Sequence, residues 1–255
     1  MDCKKIIEIF NHNVKNKDVN TENINHKGRE GYWLEKQFGI KHNSNNKPDI
    51  EGYEMKKYSN IITIGDFSAS EYLFSNKRQF INLYNNWNDN IKISRTEFIK
   101  LFGNPNLKKN NRYSWSGKAS PNKYNETNDN GQTILIDDDN NILIIYSFSK
   151  DNRYDKEKMP KFIKKENLLI AIWLNEKIKN NINNKYNIKG FFICKKNKDK
   201  YNMILFGKPF DYDYFIKKFK EKKIIFDSGM YDGNNRNYSH FRGSQFWQEL
   251  IIEEV

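Results

Sequence analysis

Cysteine is close to absent from this chain. Cys3 and Cys194 stand far apart with no C-x-x-C pair, which points to neither a disulfide framework nor a zinc site. Histidine is scarce too. His12, His26 and His42 have no ligand spacing and are expected at the surface. Long apolar runs are missing. The longest strongly apolar stretch, Leu168 to Leu174, is too short to cross a bilayer. The N-terminal residues Met1 to Glu8 lack the apolar core of a secretory signal. The expectation is a soluble, cytoplasmic protein with no membrane partner. Arginine is rare as well: only seven of the 44 basic residues are Arg, the rest Lys.

Aromatic residues are plentiful. With 18 Phe, 15 Tyr and 5 Trp, a chain of 255 residues can bury a real core despite only 37% hydrophobic content. Its length suits one large domain, or one domain with two lobes. The formal net charge is +12, which favours a polyanionic partner, DNA or RNA first. Heavy use of Asn, Lys and Ile is also what an AT-rich coding sequence produces, so charge alone does not decide the partner.

The richest stretch is Lys47-Pro48-Asp49-Ile50-Glu51-Gly52-Tyr53-Glu54-Met55-Lys56. It reads Pro-Asp, four residues, then Glu-x-Lys. In a strand, side chains alternate, so Glu54 and Lys56 share one face and Met55 takes the other. Gly52 permits a bend that brings Asp49 back towards Glu54. Two converging carboxylates suit a hard cation such as Mg²⁺. A lysine beside them adds positive charge near an attacking water or a phosphate, as metal-assisted phosphodiester hydrolysis requires. Aspartate, acid and lysine at this spacing should arise by chance about 0.3 times in such a chain, and the preceding proline lowers that roughly fiftyfold. The competing reading is an exposed charged strand after a Pro-Asp turn.

Just upstream, Gly28 to Gly39 reads as a short helix with glycine near each end. Leu34 and Phe38 are spaced i, i+4 and share a face. Glu35 lies next to that face and could bring a third carboxylate to the same site. Its alternative is a solvated helix glutamate.

The order G-x-x-G-x-x-L-E followed by PD-x4-E-x-K resembles the MutH-like branch of the PD-(D/E)xK nucleases. That branch holds the mismatch-repair nicking enzyme MutH and monomeric type II restriction enzymes of the MvaI/BcnI kind. The match is sharp over residues 28–57 and looser over 224–247. There, Phe226 to Tyr231 and Arg242-Gly243-Ser244-Gln245-Phe246-Trp247 resemble a strand, polar loop and "RG-x-x-F"-like segment that helps hold DNA. The resemblance implies that Asp49 and Glu54 bind Mg²⁺, that Lys56 assists the water and that Glu35 supports the site. It also implies double-stranded DNA as partner, a monomer, a cognate DNA methyltransferase as genetic partner, a short site of the CC-x-GG type and a 5′-phosphate product.

The rest of the chain reads coarsely. Ile6, Ile7, Phe10 and Val14 predict an N-terminal helix, and Asn16 to Lys27 a polar linker. Ile61 to Phe67 suits a strand beside the catalytic one. Phe80, Leu83, Tyr84 and Trp87 suit a helix. A second helix covers Arg95 to Phe102, with Ser94 as N-cap and Gly103 after its end. Asn104 to Gly131 reads as a long polar loop. Within it, Arg112 to Lys118 interleaves basic and aromatic residues, and Arg112 and Lys118 are candidate DNA contacts. An ordinary surface loop anchored by Trp115 fits that segment equally. Thr133 to Asp137 and Ile142 to Phe148 predict a hairpin. Their turn fails the calcium-loop pattern, because Ile142 and Phe148 occupy the expected glycine and glutamate. Leu168 to Asn184 reads as a long helix, Gly190 to Lys195 and Tyr201 to Phe206 as paired strands, and Asp211 to Lys222 as a helix. Ile224 to Tyr231 reads as the final strand, followed by a loop over Asp232 to Gly243. Arg236, His240 and Arg242 in that loop are the best base or phosphate contacts.

The expected fold is α/β (α+β): a restriction-endonuclease-like mixed sheet flanked by helices, with two lobes around a DNA cleft. A single nuclease domain spans 1–255, its catalytic lobe roughly 1–100 plus the central sheet. DNA-recognition elements fall at roughly 104–131 and 224–247. The expected activity is Mg²⁺-dependent, sequence-specific cleavage of double-stranded DNA by a type II restriction endonuclease. A MutH-like repair nickase and a non-catalytic DNA-binding protein are the alternatives.

Overall fold

The computed structural model describes residues 3–21, 28–41, 46–86, 92–243 and 245–255. The helices are α1 (Lys4–Ile9), α2 (Arg29–Gln37), α3 (Gln79–Asn85), α4 (Arg95–Phe102), α5 (Asn175–Tyr186) and α6 (Tyr212–Lys220). A π-helical turn over Phe10–Val14 continues α1. The strands are β1 (Glu54–Lys57), β2 (Ile62–Asp66), β3 (Glu71–Tyr72), β4 (Asn104–Asn106), β5 (Arg112–Ser116), β6 (Asn130–Ile136) and β7 (Ile142–Asp151). They continue with β8 (Leu168–Trp173), β9 (Phe191–Asn197), β10 (Lys200–Gly207), β11 (Ile224–Tyr231), β12 (Ser239–Gly243) and β13 (Ile251–Glu254).

These strands form three sheets, with orders β1-β9-β10-β13, β2-β12-β11-β5-β4 and β3-β8-β7-β6. The first is mixed: β1 runs parallel to β9, while β10 runs antiparallel to both β9 and β13. Contacts divide the chain into two units. One comprises residues 1–62, 179–215 and 243–255; the other comprises 63–178 and 216–242. Among the described residues no helix is long and apolar enough to cross a membrane.

In the first unit, the i, i+3, i+4 spacing of Cys3, Ile6, Phe10 and Val14 lays one apolar face on the sheet. Trp33 and Leu34 of α2 and Phe38 just after its end join it, with Met55, Phe192, Cys194 and Phe206 from the strands. Burial of each such side chain stabilises by about 1.5–3 kcal/mol. Both cysteines are free and buried in this core. Glu30 of α2 accepts from Lys57 at 2.8 Å and Lys196 at 2.9 Å, tying the helix to β1 and β9. The Lys57 hydrogen bond, more than any other contact, holds the Glu30 carboxyl down at about 2.

In the second unit, Tyr72, Phe98, Trp115, Trp173 and Phe226 pack mostly edge-to-face at 5.1–6.5 Å, each contact adding about 0.5–1.5 kcal/mol beyond its area. Ser94 and Glu97 form a complete capping box at the start of α4, a device worth about 1 kcal/mol. The paired strands β6–β7 and β9–β10, the helix α6 and the predicted end of α4 at Gly103 all appear where the periodicity puts them.

Several expectations fail for physical reasons. Leu168 to Trp173 is not helical. It is β8, buried at every residue between β3 and β7, and only from Asn175 does a helix begin. A short continuous apolar run fits either element, and burial on both faces selected the strand. Asn104 to Gly131 is no long loop, because β4 and β5 pair with each other and β5 pairs with β11. Trp115 is fully buried in β5, and its indole donates to Gln132 Oε1 at 2.6 Å. The strand β2 does not flank β1; its sheet neighbour is β12. On α3 the buried residue is Ile81, while Leu83 is 71% exposed. The buried Glu71 carboxylate sets that helix by accepting from the Phe80 and Ile81 amides, both at 3.0 Å. The strands β12 and β13 follow β11, so Ile224 to Tyr231 is not the last strand. Trp87, His26, His42 and residues 22–27 of the predicted linker lie outside the described residues.

Candidate active site

The Asp49–Lys56 segment folds as a tight reversal feeding a strand. Glu51 and Gly52 both take positive φ, 51° and 84°, the pairing a two-residue type I′ turn requires. Ile50 and Tyr53 close it by exchanging both backbone hydrogen bonds, at 3.1 and 2.8 Å. This reversal carries Asp49 back against β1, where its Oδ2 accepts from the Met55 amide at 2.9 Å. Met55 points into the core, leaving Glu54 and Lys56 together on the other face, as the alternation predicted.

Glu54 is buried, with only 3% of its side chain exposed. Its Oε1 receives two ammonium groups, Lys56 Nζ at 2.7 Å and Lys185 Nζ at 3.0 Å. Its Oε2 is buried with no hydrogen-bond partner. An unpaired carboxylate oxygen in that position costs about 1–3 kcal/mol or more unless something fills it. Burial first, and the Glu54 charge next, push the Asp49 carboxyl up to about 6; Lys56 and Lys185 pull the other way. The Tyr186 ring lies 5.9 Å from Lys56 Nζ. Burial, reinforced by Glu54 and Asp49, pushes its phenol far above the usual tyrosine range, so it stays neutral.

This donor set fits a small hard cation. Mg²⁺ is commonly held by one or two carboxylates, with waters and substrate phosphate completing the shell. Asp49 keeps an oxygen beyond its amide bond, and Glu54 Oε2 lacks a donor. Among the described residues no group of three His, Cys, Asp or Glu side chains forms a ready-made cage. Glu35 is half-buried on α2 and is not part of such a group. Sequence reasoning missed Lys185 and Tyr186. They stand on α5, far along the chain, and nothing in their local spacing links them to residue 54.

The candidate DNA contacts lie in the second unit. His240 and Arg242 stand on β12 rather than in a loop, on the face opposite the buried Ser239 and Phe241. Arg236 alone belongs to the connection between β11 and β12. Arg236 and Arg242 each face an internal carboxylate. Arg236 donates to Asp66 Oδ2 at 3.0 Å and covers the Tyr238 ring at 4.5 Å. His240 Nε2 lies 3.9 Å from the same oxygen. Arg242 Nε lies 3.0 Å from Asp227 Oδ2. Burial is the main cause lowering the His240 pKa, Asp66 opposes it, and the Arg242 charge adds to the lowering. Asp66 also accepts from the Ser239 amide at 2.7 Å, so β2 fixes the start of β12. Arg112 stacks on the Tyr231 ring at 3.7 Å. Lys118 is exposed and lines a groove of about 450 Å³ with Asn122, Lys123 and Asn128.

The chain matches the LlaMI restriction endonuclease family over residues 12–255. It is 37% identical to the type II restriction enzyme ScrFI of Lactococcus lactis subsp. cremoris, over 98% of this chain and 97% of that one. Its fold resembles that of restriction endonuclease MvaI solved in complex with cognate DNA, with a TM-score of 0.61 at 14% identity, covering 100% of this chain and 98% of the other. A carboxylate pair, Glu54 buried and Asp49 partly so, with adjoining lysines, and a basic strand face therefore sit on a mixed α/β fold of MvaI type. The chain belongs to the LlaMI restriction endonuclease family and is a type II restriction endonuclease, a hydrolase that cleaves DNA.

Proposed function

We propose that cleavage depends on Mg²⁺ held by Asp49 and Glu54, and that residues 232–243 read the sequence of a double-stranded site. The observation that carries the metal assignment is the buried, partnerless Glu54 Oε2 beside Asp49, whose carboxyl is already pushed up to about 6. A cation bound there would lower the pKa of a coordinated water and stabilise charge on the leaving oxygen. The chain's own groups do the rest. Lys56 stays on Glu54 Oε1, close enough to orient the attacking water and meet the scissile phosphate. Lys185 shares that oxygen and keeps the Glu54 carboxylate from turning. Glu35 supports the site from α2.

Readout is assigned to Arg236, His240 and Arg242, with Arg112 and Lys118 as phosphate contacts. Arginine can donate two hydrogen bonds to guanine in the major groove, and a base contact of this kind is worth about 1–3 kcal/mol of discrimination. The enzyme acts as a cytoplasmic monomer on duplex DNA, at a short site of the CC-x-GG type. A cognate methyltransferase protects host DNA.

Plasmid cleavage tests the metal assignment. Discrete fragments are expected with Mg²⁺, none in EDTA, and binding without efficient cutting in Ca²⁺. Ca²⁺ takes more ligands at longer distances and holds water and phosphate in poorer geometry. Full activity in EDTA would end this reading. Sequencing the fragment ends maps the site and checks for the 5′ phosphate.

A further inference from the structure

Arg95 is the first residue of α4. A cation in the first turn opposes the helix macrodipole, which favours acids there. The side chain instead reaches into the bend formed by residues 231–237. A guanidinium carries five N–H donors in one rigid plane, and all five are used. Nε donates to Asn237 Oδ1 at 2.8 Å. One terminal nitrogen donates to the Tyr231 carbonyl at 3.3 Å and to the Asn234 carbonyl. The other donates to Asn234 Oδ1 at 2.8 Å and to the Arg236 carbonyl at 2.9 Å. The next residue adds a sixth tie, Thr96 Oγ1 to Asp232 Oδ1 at 3.2 Å. None of the five acceptors is a carboxylate. The contacts therefore fix backbone shape rather than neutralise a charge. A lysine offers three donors from a single point and could not span these five positions.

We propose that Arg95 is a positioning residue for sequence readout: it moulds the 231–237 connection so that Arg236, and His240 and Arg242 beyond it, meet DNA already in place. A connection of Gly, Asn and Arg without such a core would have to be ordered on binding, at a cost to every correct contact. The inference rests on the assignment of residues 232–243 to DNA reading.

The test uses the full chain with Arg95→Ala, Arg95→Lys and Asn237→Ala, alongside Arg236→Ala and Arg242→Ala. Competitive binding is measured in Ca²⁺ at fixed salt, on the enzyme's own mapped site, on single-base variants of it and on an unrelated duplex. Arg95→Ala should lower discrimination between correct and variant sites about tenfold or more, the scale of one lost base contact. Affinity for the unrelated duplex should change by less than about threefold. Arg95→Lys should keep part of the discrimination, and Asn237→Ala should lose less than Arg95→Ala, in the same direction. Unchanged discrimination, or an equal loss on all DNA, overturns the inference if Arg236→Ala or Arg242→Ala does lower discrimination. If none of the variants lowers it, the reading assignment fails and takes the inference with it. Should Arg95→Ala not fold, Asn237→Ala decides, and normal discrimination in that variant overturns the proposal.

Discussion

At Glu54 two lysines crowd one carboxylate oxygen and leave the other without a donor; on and before β12 the two arginines, Arg242 and Arg236, already have internal acids. The first arrangement holds an acceptor open, and the protein bears that cost until a partner arrives. The second keeps its charges paired, so a DNA group bound by Arg236 or Arg242 would have to displace Asp66 or Asp227. An open acceptor suits chemistry, where the incoming group has to be bound strongly at one point. Paired cations suit discrimination, because a wrong sequence that fails to replace the internal partner gains nothing.

The comparison breaks first at the carboxylates. Asp49→Ala, Glu54→Ala and Lys56→Ala should each slow cleavage about a hundredfold or more while leaving DNA binding in Ca²⁺ close to normal. A Glu54→Ala protein that cuts at the normal rate would leave the open acceptor without a role. On the paired side, at least one of Arg236→Ala and Arg242→Ala should lose about 1–3 kcal/mol of discrimination at a single position, read by competition with single-base site variants. Uniform weakening on all sequences would make both residues phosphate contacts.

Lys185→Ala should have a smaller effect on cleavage, about tenfold, because Lys56 still meets Glu54 Oε1. The double variant with Lys56→Ala should fall short of the product of the two single effects, since both side chains act on one oxygen. Full multiplicativity in single-turnover rates would show that the lysines work separately. Glu35→Gln should shift the Mg²⁺ dependence modestly; a titration curve identical to the unaltered enzyme would make Glu35 a surface residue.

The smallest effect concerns stability. The Asp49 carboxyl rises from an ordinary 3.8 to about 6 on folding. The folded state therefore binds a proton more tightly than the unfolded one. This contribution is fully present below about pH 4 and is lost as pH climbs through 6. Asp49→Asn keeps an acceptor for the Met55 amide and removes the charge. Without metal at pH 8, it should unfold at a higher temperature, by about 1–2 kcal/mol of stability once the partial exposure of Asp49 is allowed for. A lower unfolding temperature would mean that the amide bond, not the charge, governs the site.

Much of the candidate site's geometry was legible because it is local. A turn with Gly52 and a strand with alternating faces bring Asp49, Glu54 and Lys56 together within eight residues, so spacing alone carries the information. Lys185 was not legible, because its contact with Glu54 is made by a helix more than a hundred residues away. The same holds for Asp66 and Asp227: strand order across β2, β12 and β11 decides that they face Arg236, His240 and Arg242. Polar composition hid β5, where ladder pairing and the buried Trp115 outweigh the polar neighbours. The misread β8 shows the opposite limit. Six apolar residues in a row carry no period, so only their neighbours could tell strand from helix.

The parallel partner of β1 is β9, which begins at Phe191, and the unit that holds both is interrupted in sequence by residues 63–178. During synthesis the Asp49–Lys56 segment leaves the ribosome long before Phe191 exists. Until then β1 has no strand partner, and the core around Met55 lacks Phe192, Cys194 and Phe206. A nascent chain that stops short of Phe191 is therefore expected to be inactive on DNA. Chains truncated before residue 190 should bind and cut no DNA, whereas an enzyme with its catalytic strands adjacent in sequence would be armed while still half-built.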